Sequence, residues 1–155
     1  MRVRHIMVAA AIFVAATSAS GQSVAGKWTV SYPVGMIQNG VRTETIGTAA
    51  LSLELKGDSV FGTWQSLNTP VAVPAREFKG TFKDGKLLFE TVSEATIRQG
   101  GMGGDGESKI RMRTYYEATL KGDNLDGTMS AKSEDGSIDV PSRAWTAKRG
   151  EPAKS

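Results

Sequence analysis

Two segments of the chain repeat one pattern: residues 52–66 read SLELKGDSVFGTWQS, and residues 117–131 read EATLKGDNLDGTMSA. In both copies, apolar and polar residues alternate on either side of a Lys-Gly-Asp turn, which is typical of two antiparallel strands joined by a tight connection. A phosphate-binding loop would need a glycine-rich turn that opens onto a helix, and here a strand follows instead. The repeat therefore predicts one hairpin used twice.

The rest of the chain after residue 22 shows the same short alternating runs, separated by turn residues and with almost no helical periodicity. This pattern indicates an all-β domain, and we count eight strands in it. The connections after strands two, four and six are tight turns, whereas those after strands one, three and five are long, over residues 35–42, 66–75 and 97–108. In an up-and-down sheet, alternate connections lie at opposite ends. The sequence therefore predicts an eight-stranded antiparallel up-and-down β-barrel that is closed by turns at one end and rimmed by loops at the other.

Side-chain parity assigns the inner face of this barrel in every strand but the eighth. There, Ile138 and Val140 have one parity and Trp145 the other, so we predict a bulge at Pro141 that resets the register. Large apolar side chains of inward parity form the predicted core: Trp28, Leu53, Phe82, Phe89 and Leu125.

The first 21 residues have the layout of a signal peptide. Arg2 and Arg4 precede an apolar stretch, Ile6 to Ala16, which small residues follow. We therefore expect residues 1–21 to be removed on export to the periplasm or the exterior, leaving a barrel over 22–150 and a flexible tail over 151–155. A retained membrane helix is the alternative, but the apolar run is about half of the ~20 residues that a span needs. We expect no stable membrane insertion once the leader is removed.

The expected mature chain has no cysteine, and the single histidine, His5, lies in the leader. This composition excludes thiol nucleophiles, histidine bases and the usual zinc or haem ligation, so we predict no metal, no cofactor and a protein that is not an enzyme. A hydrolase using Glu90, Glu94 and Glu117 is a third hypothesis, although nothing in the sequence fixes the separation of these carboxylates.

Removal of the leader also changes the charge balance. Of 19 Lys and Arg, two lie in the leader, which leaves 17 against 16 Asp and Glu. A nearly neutral chain with both signs interspersed does not favour nucleic acid as a partner. A basic stripe at Arg98, Lys109, Arg111 and Arg113 fits an anionic partner or a solvated outer face equally well.

The two ends of the predicted barrel resemble a known group of proteins. Residues 26–29 read GKWT and residues 144–150 read AWTAKRG, and both segments are similar to the ends of avidin-type barrels and, more loosely, of the lipocalins and fatty-acid-binding proteins grouped as calycins. The resemblance implies a barrel in which Trp28 and Arg149 pair across the closed end. Exported bacterial proteins of unknown function share the repeated L-x-L-x-G-D and G-T-hydrophobic units.

The chain departs from the avidin pattern after the first strand begins. Avidin-type proteins hold biotin with an Asn and a Ser that follow the G-x-W-T segment, whereas residues 30–34 here read VSYPV. We therefore do not expect biotin as the ligand.

Strand direction and parity place one set of side chains inward near the long-loop end. Such a set would form an apolar cup with a few hydroxyls for a small apolar or amphipathic ligand, or it would simply fill the barrel. The alternative function is a scaffold that docks onto a larger cell-envelope protein complex through its loops or outer face, and the glycine-rich residues 99–106 are either a lid or a plain loop. The candidate ligand-binding residues are Tyr32, Ala49, Trp64, Thr91, Met112 and Met129.

Overall fold

The structure is a computed structural model, and it describes residues 22–38, 41–69, 72–98 and 107–151. The predicted leader (1–21), the glycine-rich residues 99–106 and the tail from residue 152 lie outside these ranges. No helix in the described ranges has the length and apolar character needed to span a membrane. The strands are β1 (Gly26–Gln38), β2 (Val41–Lys56), β3 (Ser59–Ser66), β4 (Arg76–Lys83), β5 (Lys86–Arg98), β6 (Glu107–Lys121), β7 (Asn124–Ser133) and β8 (Asp139–Arg149).

The eight strands form one closed antiparallel ring. Each strand pairs with the next in the chain, and β8 pairs with β1. The predicted all-β, eight-stranded up-and-down barrel is therefore confirmed. This architecture is consistent with a calycin-like fold, and the sequence repeat corresponds to the hairpins β2–β3 and β6–β7.

Three two-residue turns close one end of the ring, which we call the floor. Asp84 and Gly85 have φ angles of 52° and 76°, the two positive values that a type I′ hairpin requires. Gly57 and Gly122 have φ angles of 62° and 61°, and each is followed by an aspartate, so the two Lys-Gly-Asp turns share one backbone geometry. The predicted tight turns are confirmed.

The opposite end, which we call the mouth, differs from the sequence prediction in one respect. Residues 35–42 and 97–108 were predicted as long loops, but β1 continues to Gln38, β2 begins at Val41, and the β5–β6 hairpin stays paired from Lys86–Thr119 to Arg98–Glu107. The prediction was wrong because the long loops were inferred from weak alternation, whereas two paired strands satisfy their backbone groups without needing an apolar face. Two hairpin arms, β1–β2 and β5–β6, therefore extend past the shorter strands at the mouth.

Two of the eight strand interfaces are short and lie near the floor. Strand β1 pairs with β8 from Trp28 to Ser31, and β4 pairs with β5 from Gly80 to Lys83. These two seams lie on opposite sides of the ring and divide it into β1–β4 and β5–β8. Towards the mouth, the strands on either side of each seam pair only with their other neighbour within the described residues.

The register of β8 shifts where the sequence predicted a bulge. Met129 pairs with Arg143, but Ala131 pairs with Val140, so β8 has one more residue than β7 in this interval. Pro141 lies within that interval, where its missing N–H costs no ladder hydrogen bond. The bulge brings Trp145, which is buried, into phase with the core.

Side chains fill the ring from the floor upwards. Trp28, Leu53, Phe89 and Leu125 are buried as predicted, whereas Phe82 is half-buried at the rim of the floor. A Cβ added at Gly62 would come within 2.5 Å of the Phe78 ring. In this copy of the hairpin the glycine therefore leaves room for a neighbouring ring, whereas Gly127 in the other copy faces the Glu117 carbonyl oxygen and Ala118.

A clamp on Trp28 closes the floor. The Arg149 guanidinium carbon lies 4.3 Å from the centre of the Trp28 ring, and its two terminal nitrogens each donate to a backbone carbonyl, of Ser23 and Ala25, at 2.8 Å. Arg149 Nε also bonds Asp123 at 3.0 Å, and Trp28 Nε1 donates to the Val24 carbonyl at 2.9 Å. The lead-in to β1 is thus tied across the floor to the end of β8, and the pairing of Trp28 with Arg149 is confirmed.

We expect Arg149→Met to lower the free energy of unfolding by about 3 kcal/mol, because it removes a cation–π contact and several charge-assisted hydrogen bonds together. The measurement is urea unfolding. Lys27→Met is the matched control, since it removes only the exposed ion pair with Glu151 and should cost less than about 1 kcal/mol. Equal losses in the two variants would contradict the clamp.

Candidate ligand site at the open end

A cluster of aromatic rings fills the middle of the barrel. Trp64 lies at its centre, with ring centroids 4.7 Å from Tyr116, 5.6 Å from Tyr32 and 6.1 Å from Trp145. Phe89 stacks between Phe78 and Tyr116, at 4.1 Å and 4.4 Å. Because the rings pack at contact distance, they separate the floor from the mouth.

The six residues predicted to bind ligand lie on the inner face of the barrel. They are at the level of this cluster or between it and the mouth. Ala49, Trp64 and Thr91 are buried, and the other three are half-buried. Tyr32 lies edge-on to Trp64, and Met129 stands opposite Tyr116 in the β6–β7 register. Met112 lies further towards the mouth, opposite Ser93 and Ser133. The structure thus gathers five of the six around the rings and leaves Met112 nearer the rim, and their binding role stays a prediction.

Hydroxyl groups mark the boundary between the rings and the mouth. Tyr32 donates a hydrogen bond to Ser66 Oγ at 3.0 Å. Thr91 is 2% exposed, yet its Oγ1 has no hydrogen-bond partner in the described part of the chain. A buried hydroxyl without a partner costs about 1 to 3 kcal/mol. The Thr91 hydroxyl is therefore an unsatisfied polar group inside an aromatic interior, and it lowers the stability of the fold.

Tyr116 stands beside Thr91 and is itself buried. Burial raises the pKa of the Tyr116 phenol, while the Thr91 hydroxyl and the charge of Arg76 act to lower it. The two hydroxyls are near each other but do not reach hydrogen-bond geometry. Tyr116 thus stays protonated at neutral pH, and its phenol can act as a hydrogen-bond donor.

Sequence reasoning missed two arginines with inward parity at this level. Arg76 precedes the buried Phe78 by two residues, so its position could have been read from parity. Arg143 precedes Trp145 by two residues, but the bulge at Pro141 hid its face. Arg143 is 18% exposed and forms an ion pair with Glu44 at 3.6 Å, which links β8 to the β1–β2 arm.

The carboxylates considered for hydrolysis lie on the outer face. Glu90 is paired with Arg113 at 2.5 Å, and Glu117 alternates outward from the buried Tyr116. Arg111 and Arg113 of the predicted basic stripe lie near Glu134 at 3.7 Å and 3.5 Å. Much of the stripe is therefore neutralised by neighbouring acids, as on a solvated sheet face.

Cavities lie on the outside of the ring. One of about 400 Å³ runs over the outer face of β4–β7, where Leu88 and Tyr115 are exposed among Lys79, Glu90 and Glu117. Another of about 540 Å³ lies under the floor. No group of three or more side chains suited to hold a metal ion occurs among the described residues.

The chain matches no protein-family model, no curated protein and no solved structure at a significant level.

Spectrophotometric titration should resolve a tyrosine ionisation above the ordinary pH range of a phenol, because burial raises the pKa of Tyr116. Tyr116→Phe should abolish that late step, and Tyr115→Phe should leave it in place. Since the folded state holds this proton more tightly, the associated stability is full below about pH 10 and is lost as the pH rises further. The absence of any late ionisation that Tyr116→Phe removes would contradict the burial of Tyr116.

Proposed function

We propose that the protein is a non-enzymatic binding module that holds a small amphipathic ligand at the mouth of its barrel. The observation that carries this proposal is the Thr91 hydroxyl, which is buried and unpartnered beside the aromatic cluster. Small-molecule sites combine apolar walls with a few well-placed polar groups. A ligand that covers Trp64 and the half-buried methionines with its apolar part, and offers an acceptor to Thr91, would offset the cost of that hydroxyl.

The same proposal includes the setting of the protein. The leader-like residues 1–21 support export to the periplasm or the exterior, and the clamp between Trp28 and Arg149 supports kinship with the avidin and lipocalin barrels. In such barrels one end is blind and the other is open. The hydrogen-bonded floor of this ring leaves the mouth as the end at which a ligand would enter.

Decanol, a neutral amphipathic alcohol, tests the proposal. We expect it to shift the ε-methyl NMR signals of Met112 and Met129, because both lie near the proposed site. Thr91→Val should weaken decanol binding about 5-fold and should also raise the free energy of unfolding by about 1 kcal/mol, since it removes an unsatisfied buried hydroxyl.

The control for this experiment is Thr119→Val, the same chemical change on the exposed outer face of β6. It should alter neither decanol binding nor the Met112 and Met129 signals. If decanol leaves both methyl signals unmoved, the binding proposal fails. If Thr91→Val instead destabilises the protein, the hydroxyl is satisfied within the fold and the observation behind the proposal is lost.

A second candidate function is docking onto a larger envelope protein through the outer face of β5 and β6. The exposed side chains of Leu88, Val92 and Tyr115 favour it, since they lie on one face of neighbouring strands and two of them border the outer cavity. Replacement of Tyr115 by Ser should then abolish a complex seen by native mass spectrometry of the protein from its own source, and leave decanol binding unchanged. A complex that survives this change would exclude docking through Tyr115.

A further inference from the structure

Arg76 is a cation with inward parity at the mouth. It begins β4 opposite Trp64, and residues two apart in a strand share a face, so it has the same parity as the buried Phe78. Arg76 is half-buried, and its charge reaches the Tyr116 phenol, whose pKa it acts to lower. Arg76 therefore lies at the level of Trp64, on the same inner face as the hydroxyls that border the aromatic cluster.

No carboxylate pairs with Arg76 in the parts of the chain that the structure describes. The other two arginines of inward parity are both paired: Arg149 with Asp123 at 3.0 Å, and Arg143 with Glu44 at 3.6 Å. A charge withdrawn from water without a partner costs free energy, and proteins ordinarily supply a counter-ion. Arg76 is thus an exception within this barrel.

Two hydroxyl groups that share the inner face with Arg76 can act as hydrogen-bond donors. The Thr91 hydroxyl has no partner, and the buried Tyr116 phenol retains its proton. A guanidinium together with two hydroxyl donors matches an oxyanion, because a carboxylate accepts two parallel hydrogen bonds from arginine and has lone pairs left for further donors.

We propose that Arg76 binds the anionic head group of the ligand, a carboxylate, and that the hydroxyls of Thr91 and Tyr116 donate to the same head group. This inference rests on the proposed function and adds the chemical class: an amphipathic acid whose apolar part covers Trp64 and the methionines. The ligand then supplies the counter-ion that Arg76 lacks and the acceptor that Thr91 lacks, so one group satisfies both.

Arg143 provides a matched control on the opposite side of the ring. It stands two residues before an inward aromatic residue, as Arg76 does, but Glu44 already neutralises it. The proposal therefore assigns anion binding to Arg76 and a structural ion pair to Arg143.

The test compares decanoate with decanol, which have the same chain length and differ in the charge of the head group, by calorimetric titration of the whole protein. We expect decanoate to bind at least about 10-fold more tightly than decanol, and Arg76→Met to abolish that preference, so that the variant binds the two probes with similar affinity. Arg76→Lys should retain part of the preference, because it keeps the charge but loses the two-pronged geometry. Arg143→Met should keep the full preference.

The outcomes separate this inference from the proposed function. If decanoate and decanol bind equally and Arg76→Met changes neither, the acidic ligand is excluded and the proposed function stands. Equal loss of preference in the Arg76→Met and Arg143→Met variants would also overturn the assignment to Arg76. If neither probe binds, the proposed function fails and this inference fails with it. Thermal unfolding of each variant verifies that a loss of binding reflects the site and not the fold.

Discussion

The ring depends on the contact between its two ends. Strands β1 and β8 pair from Trp28 to Ser31, and so short a ladder leaves the closure dependent on side chains. Arg149 provides the additional contacts, because its guanidinium covers the Trp28 ring and donates hydrogen bonds to two carbonyls of the segment before β1. If the ring opened at this seam, β1 and β8 would be the exposed edges of an open sheet. Closure in turn fixes which side chains face inward.

The interior of the closed ring is apolar near the floor and partly polar near the mouth. From the floor to the level of Trp64 it is apolar and packed, and the rings of Phe78, Phe89 and Tyr116 lie in contact. Above that level, hydroxyls and two arginines have inward parity, and two of these groups, Thr91 and Arg76, have no partner within the described residues. Unsatisfied polar groups lower the stability of the fold, so folding alone does not explain their presence. Such destabilising groups commonly occur at binding sites.

Much of the ring could be predicted from the sequence. The Asp-Gly and Gly-Asp pairs fixed three turns, because positive φ angles are accessible to few residues. Alternation then assigned Trp28, Leu53 and Trp64 to the interior, since a strand turns every second side chain to the same face. The end-to-end contact of Trp28 with Arg149 came from resemblance to known barrels and from no local pattern.

The features that escaped prediction depend on contacts between distant segments. The arms at the mouth are held by cross-strand pairing, which a short run of mixed residues does not reveal. Arg76 was passed over because a charged residue at the start of a strand is ordinary, and its lack of a counter-ion shows only once the ring is closed. The ion pair of Arg143 with Glu44 was hidden by the bulge at Pro141 and by the separation of the two residues in the chain.

The two short seams give the barrel a mechanical asymmetry. Each half, β1–β4 or β5–β8, keeps its own hairpins, and the halves are hydrogen-bonded to each other only near the floor within the described chain. They therefore form two half-shells joined at the base, whose upper rims can separate without breaking a strand ladder, and the ion pair of Arg143 with Glu44 is a side-chain link across one of the seams. Admission of a bulky guest would separate these rims and leave the packed base undisturbed.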